Sequence, residues 1–131
     1  MAALAAHPSE AVEPRTESSI LGTLSINSTL SRIAGRVLNS SSRFSDQPSN
    51  STAAELASDL RLLALGSANH RHMVKDSGWA EISLAVEGVL EIADNSVRSA
   101  LNNDPSAQDL AELVLKYSQA CRNAVKSPIS R

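Results

Sequence analysis

The side chains of this chain with the most chemistry to offer are three histidines, one cysteine and a local run of basic residues. His70, His72 and Asp76 form the one cluster that resembles a metal-ligand set. On a helix, His72 and Asp76 are four apart and share a face, whereas His70 points roughly opposite His72. A zinc site needs three or four convergent ligands, and this stretch offers two, with His7 and Cys121 far away in sequence. A solvated polar helix face is the expected reading, with no metal and no other cofactor. Cys121 beside a histidine would be a nucleophile and its base. It falls instead on the apolar stripe Leu113, Tyr117, Cys121, Ala124, which points to a buried, inert thiol. Glu87 and Glu91 are one turn apart, the spacing of a wet helix face. No nucleophile-elbow, zinc-protease, phosphate-loop or dinucleotide pattern occurs, so the chain is not expected to be an enzyme. What remains is the basic group Arg61, His70, Arg71 and Lys75, with His72, around Gly66. It is a candidate for docking an acidic peptide or a phosphate at a helix start. Scattered charges on an acidic surface are the plainer account.

Composition narrows the partners. Lys and Arg total 12 against 14 Asp and Glu, a net charge of −2, which argues against a general nucleic-acid binder. Phe44, Trp79 and Tyr117 are all the aromatics, too few for a base-stacking surface. A single cysteine excludes an internal disulfide. No apolar run approaches the roughly 20 residues needed to span a bilayer, so no membrane partner is expected. The start, Met-Ala-Ala-Leu-Ala-Ala followed by His7 and Pro8, lacks the marks of an export or transit signal. Cytoplasmic or nuclear residence is the expectation. The sequons at Asn27, Asn39 and Asn50 then reflect a serine-rich composition rather than glycosylation.

The elements that must position these side chains are helical. Residues 1–17 read as a flexible tail and 127–131, with Ser127-Pro128, as a frayed one. Between them, 18–126 reads as one helical domain. A first helix is expected from Ile20 to Leu38, with Ile26, Leu30, Ile33 and Val37 on one face. Asn39 to Ser51 carries no period and contains Pro48, so 39–51 reads as a Ser/Asn-rich loop in which Phe44 is solvated. Thr52 and Glu55 have the spacing of a capping box. They open a helix with Leu56, Leu60 and Leu63 inward and Gly66 as its C-cap. A short helix follows from Ala68 to Asp76, with Met73 and Val74 inward and Gly78 ending it. Trp79, Ile82, Val86 and Val89 then repeat at three and four residues, the stripe of a central helix. Whether it breaks at Asp94-Asn95-Ser96 is open. Asp104 and Pro105 stop one helix and start the last, which carries Leu113, Tyr117 and Cys121 inward. The fold class is therefore all-α, with about five helices.

The stretch from Leu60 to Gly78, Leu-Arg-Leu-Leu-Ala-Leu-Gly-Ser-Ala-Asn-His-Arg-His-Met-Val-Lys-Asp-Ser-Gly, resembles the junction of two armadillo repeats. In that family a leucine-rich helix ends in a Gly/Ser turn. A short Asn/Arg-bearing helix follows and closes on Val-x-x-x-Gly before a long apolar helix. Leu63 and Ala64 would close one unit, and Arg71, Val74 and Gly78 would open the next, the resemblance centring on residues 52–93. It implies a non-catalytic protein-interaction module. The residues themselves leave three architectures open: a divergent repeat, a fragment of a longer solenoid, or a small orthogonal helical bundle. The alternative function is a structural subunit that self-associates or completes a larger helical complex. A metal-dependent or cysteine enzyme stands third.

Overall fold

The computed structural model describes residues 16–73 and 76–126, and these residues form five α-helices and one 3₁₀ turn. They are α1 (Glu17–Leu24), α2 (Ser28–Asp46), α3 (Asn50–Met73), α4 (Asp76–Asn103), the turn Pro105–Ala107, and α5 (Gln108–Lys126). No strand occurs among the described residues, and one hydrophobic core runs through all five helices. The sequence reading of an all-α chain with about five helices holds. Residues 1–15 and 127–131, and with them most of the expected tails, lie outside the described residues, as do Val74 and Lys75.

Helix boundaries are set by side chains that bond to backbone. Thr16 and Ser19 exchange reciprocal bonds, each backbone N–H donating to the other's hydroxyl at 3.1 Å, and this box starts α1. The single helix expected over Ile20–Leu38 is instead two. The Ser25 hydroxyl donates to the Gly22 carbonyl at 2.7 Å, and Asn27 Oδ1 accepts from the Leu30 N–H at 3.0 Å. Short polar side chains compete for the backbone here, ending one helix and capping the next. Ile26, expected inward, sits in the resulting turn and is 73% exposed.

The Ser/Asn-rich segment expected as a loop over 39–51 is a correction of larger consequence. Residues through Asp46 continue α2, and only Gln47-Pro48-Ser49 separate it from α3. Ser40 and Ser41 face inward beside Leu38 and Phe44, and all four are buried. The Ser40 hydroxyl shares its one hydrogen between the Arg36 carbonyl at 2.9 Å and Asp59 Oδ2 at 3.0 Å. A small side chain at Ser40, with its hydroxyl bonded, lets α2 and α3 pack closely, so tertiary contact overrides weak helix propensity. Ser49 and Thr52 form the reciprocal cap of α3 at 3.0 and 3.1 Å, one turn before the expected Thr52–Glu55 box. Glu55 instead receives both arms of the Arg43 guanidinium.

α3 does not end at Gly66. No glycine among the described residues has positive φ, and the helix runs on to Met73, which is 80% exposed rather than inward. Gly66 serves a different need. A Cβ there would meet Leu30 Cδ2 at 3.1 Å and Ile33 Cδ1 at 3.2 Å, so its bare Cα lets α2 approach. Gly78 likewise lies inside the first turns of α4 rather than ending a helix. α4 continues unbroken through Asp94-Asn95-Ser96 and buries Trp79, Ile82, Val86 and Val89 as expected. The Asp104–Pro105 restart also holds, with the Ser106 N–H donating to Asp104 Oδ1 at 3.1 Å. In α5 the inward stripe is Ala111, Val114, Ser118, Cys121 and Val125. Leu113, expected in the core, is 37% exposed, and Tyr117 is half-buried. The stripe lies one position round from the expected one because α5 must face α3 and α4 at once.

The helices form two antiparallel hairpins, α2 with α3 and α4 with α5. In the first, Arg36 and Ser40 meet Asp59, and Arg43 meets Glu55. In the second, Asp94 accepts from Ser118 at 2.9 Å and from Arg122 at 2.8 Å. The hairpins stack with α4 along α2 and α5 along α3, while α3 and α4 meet only across a diagonal. Both stacked pairs are parallel. Asn103 Nδ2 donates to the Ser45 carbonyl at 3.1 Å, joining the C-terminal ends of α2 and α4. Arg71 does the same for α3 and α5. α1 lies over α2 and α4, so among the described residues no further helix covers the α3–α5 side of the stack.

Candidate functional site

The parallel pair α3 and α5 encloses a groove of about 250 Å³, lined by Ala54, Ala57, Ser58, Arg61, Leu113 and Tyr117. Ala54, Ser58, Arg61 and Leu65 recur at four, three and four residues and so run down one stripe of α3. Leu113 and Tyr117 form the matching stripe of α5. Small residues give the groove a floor, and larger ones give it walls. Leu65 is 55% exposed, and Leu62 and Leu115 also present apolar surface nearby in sequence. Arg61 is exposed and forms no ion pair among the described residues, and the Tyr117 hydroxyl has no hydrogen-bond partner among them. The Lys116 ammonium stands 5.8 Å from the Tyr117 ring centroid, a cation–π spacing. One unpaired guanidinium and a phenol therefore line an apolar trough, with the Lys116 ammonium beside the phenol ring.

Of the four residues expected to bind a partner, Arg61 alone belongs to this groove. His70 and Arg71 are part of the bundle's construction, and Lys75 lies outside the described residues. Asn27 Nδ2 donates to His70 Nδ1 at 2.8 Å, so the residue that caps α2 also ties down the end of α3. The His70 ring lies 6.3 Å from that of Trp79. The Arg71 guanidinium sits 5.5 Å over the Trp79 ring. Its Nη1 donates to the carbonyls of Val125 at 3.2 Å and Ala124 at 3.5 Å. A cation on the last carbonyls of α5 completes groups that the helix leaves unpaired and complements its dipole. Arg71 is thus a cap, and its charge is committed.

Among the described residues no group of three His, Cys, Asp or Glu side chains converges on a point. His72 is exposed, and the side chain of Asp76 lies outside the described residues. Cys121 is fully buried. Burial pushes its thiol up from an ordinary 9.0 to about 12, with neighbouring Arg122 opposing the shift. The folded chain therefore keeps a proton that the unfolded thiol loses, and stability falls as pH rises through the window from about 9 to 12. At about pH 8 a thiol reagent is expected to modify Cys121 only as fast as the chain opens, matching the unfolding rate from denaturant kinetics. Modification on mixing would show a thiolate within reach of solvent.

Other depressions lie among the described residues. One of about 350 Å³ lies between α1 and α4, with Ile26 and Leu84 at its rim and Glu81 its single charged side chain. A serine-lined one of about 250 Å³ lies between α2 and α4. The first is larger and has apolar residues on both sides, Ile20 and Ile26 facing Leu84 and Ala85, but its lining holds no cation. The groove residues Ala54, Ala57 and Ser58 are not marked as a site by the sequence. Their signal was present, because leucines stand on the outer side of α3 as well as its inner side, and an apolar residue on an outer face wants a cover. No helix is long and apolar enough to cross a membrane among the described residues. No protein family, curated protein or solved structure matches the chain.

Proposed function

We propose that this chain is a non-catalytic protein-interaction module that engages its partner along the α3–α5 side. The observation that carries the reading is the groove itself: an apolar trough on the α3–α5 side of the stack, rimmed by an unpaired Arg61. The stacked hairpins, with like helices side by side, support an armadillo-like solenoid arrangement in which each unit covers the edge of the previous one. The unit boundary then falls between Met73 and Asp76 rather than at Gly66, and each unit has two helices. In such stacks one row of like helices forms the binding surface, and here that row is α3 and α5.

A photo-crosslinking amino acid placed at Leu65 or Leu113, in cells, is expected to yield discrete adducts of one partner. The same residue at Arg32, exposed on α2, is expected to yield none, and Leu113→Asp is expected to abolish the adduct from position 65. Equal labelling from all three positions, or none from any, would sink the reading. An adduct of twice the chain mass would favour the alternative, a subunit that self-associates.

A further inference from the structure

We infer that the α3–α5 groove takes an amphipathic helix whose apolar stripe is flanked by carboxylates, with an acidic side chain seated between Arg61 and Lys116. The inference rests on the docking reading above and specifies its ligand. Three observations carry it.

The first is the backbone on both walls. α3 and α5 are helical along the whole groove, so their N–H and C=O groups are already bonded internally. An extended peptide laid there would leave its own backbone unpaired at a dry surface, which is costly. A helix arrives with its backbone bonds closed and needs only side-chain contact. The second is shape. Ala54, Ala57 and Ser58 keep the α3 side of the groove low, across from Leu113 and Tyr117 on α5, and the ridge of a third helix seats in the groove between two others. The run from Ala54 to Leu65 spans about 17 Å at 1.5 Å per residue, or roughly three turns.

The third is charge. Arg61 has no ion-pair partner among the described residues, and the one interaction shown for Lys116 is with the Tyr117 ring. The Tyr117 hydroxyl is free to donate. The Arg61 guanidinium and the Tyr117 hydroxyl line a groove with no carboxylate of its own, with Lys116 beside the Tyr117 ring, and they call for an acceptor from outside. Along α5 the charge changes sign: Asp109 and Glu112 precede Leu113, and Lys116 follows it. That polarity would set the direction in which an acidic helix lies, since carboxylates at the wrong end would meet Asp109 and Glu112.

The test uses the full chain and two labelled synthetic peptides of roughly 18 residues, about five helical turns. Both carry leucines at helical spacing, one flanked by glutamates and the other by lysines at the same positions. Fluorescence anisotropy is expected to show the glutamate peptide binding at least about tenfold more tightly, with Arg61→Glu erasing or reversing that preference. Leu113→Asp is expected to weaken both peptides. Binding of both peptides with equal strength would overturn the acidic specificity while leaving the docking face standing. Binding of neither, together with no adducts from Leu65 and Leu113 in cells, would remove the face as well. A cross-link from position 65 to residues 1–15 of the same chain, or a concentration-dependent doubling of mass that Arg61→Glu abolishes, would assign the groove to the chain itself and overturn the proposal.

Discussion

Phe44→Ala is expected to lower the unfolding free energy by about 3–5 kcal/mol, the cost of removing a large fully buried ring and leaving its cavity. Phe44 is the chain's one phenylalanine and shows no exposed surface. It lies near the C-terminal end of α2, in the same core as Leu38, Ala53 and Leu56. Composition around it, Ser-Ser-Ser-Arg-Phe-Ser-Asp, describes a polar loop, and a solvated ring in a loop would change stability by no more than about 0.5 kcal/mol on truncation. The two accounts differ several-fold, so urea denaturation followed by circular dichroism separates them. A domain of this kind has about 5–15 kcal/mol of stability in total, and Phe44→Ala could leave little folded chain to titrate. Phe44→Leu, nearer in volume, is expected to cost about 1–1.5 kcal/mol and keeps the comparison measurable. An unchanged midpoint for both variants would mean that the serine-rich end of α2 is not packed on the core.

Arg36→Ala is expected to cost about 2–3 kcal/mol, far beyond the usual effect of changing an exposed side chain. The reason lies in its partner. The Arg36 side chain is 59% exposed, but the Asp59 carboxylate it meets is 3% exposed. Ser40 satisfies Asp59 Oδ2, whereas Oδ1 has no hydrogen bond and faces Arg36 Nη2 at 3.2 Å. That contact is a charge pairing without hydrogen-bond alignment, and it is the compensation Oδ1 has among the described residues. Removing the arginine leaves a buried carboxylate with one oxygen unpaired. Removing both should hurt less, so Arg36→Ala with Asp59→Leu is expected to recover most of the loss. An Arg36→Ala variant within about 0.5 kcal/mol of the parent would mean that solvent reaches Asp59. Arg43 and Glu55, one turn along the same interface, make a better-aligned pair but are both largely in water. Exposed pairs of that kind contribute little.

Much of the fold was legible because it is local. The stripe Trp79, Ile82, Val86, Val89 repeats at helical spacing over several turns, and such a stripe must be buried somewhere. Asp104-Pro105 stops and restarts a helix by its own covalent geometry. The leucines of α3 and the buried thiol of Cys121 follow from the same periodicity. Ser25 and Asn27 could have been read as a break, since both are residues that bond nearby backbone, but the apolar stripe running across them spoke for continuity.

Two of the errors, the loop over 39–51 and the helix end at Gly66, share one cause. Ser40, Ser41 and Gly66 are residues that weaken an isolated helix, and each was read as a loop or an end. In the folded chain Ser40 and Gly66 stand where α2 and α3 come together and Ser41 stands on the α4 side of α2, and small size at Gly66 allows a closeness that a larger residue would prevent. A residue's smallness is visible in sequence, whereas what it makes room for is not. Arg71 shows the same limit from the side of function. Its neighbours suggested a free basic patch, yet the fold brings it to the last carbonyls of α5, over fifty residues away. The sequence by itself determined the helical class, the central helix and the lack of a recognisable catalytic pattern, because these depend on spacing within one segment. Tertiary structure decided which helices stand side by side, and therefore which basic side chains are already committed and which, with Arg61, still face an open groove.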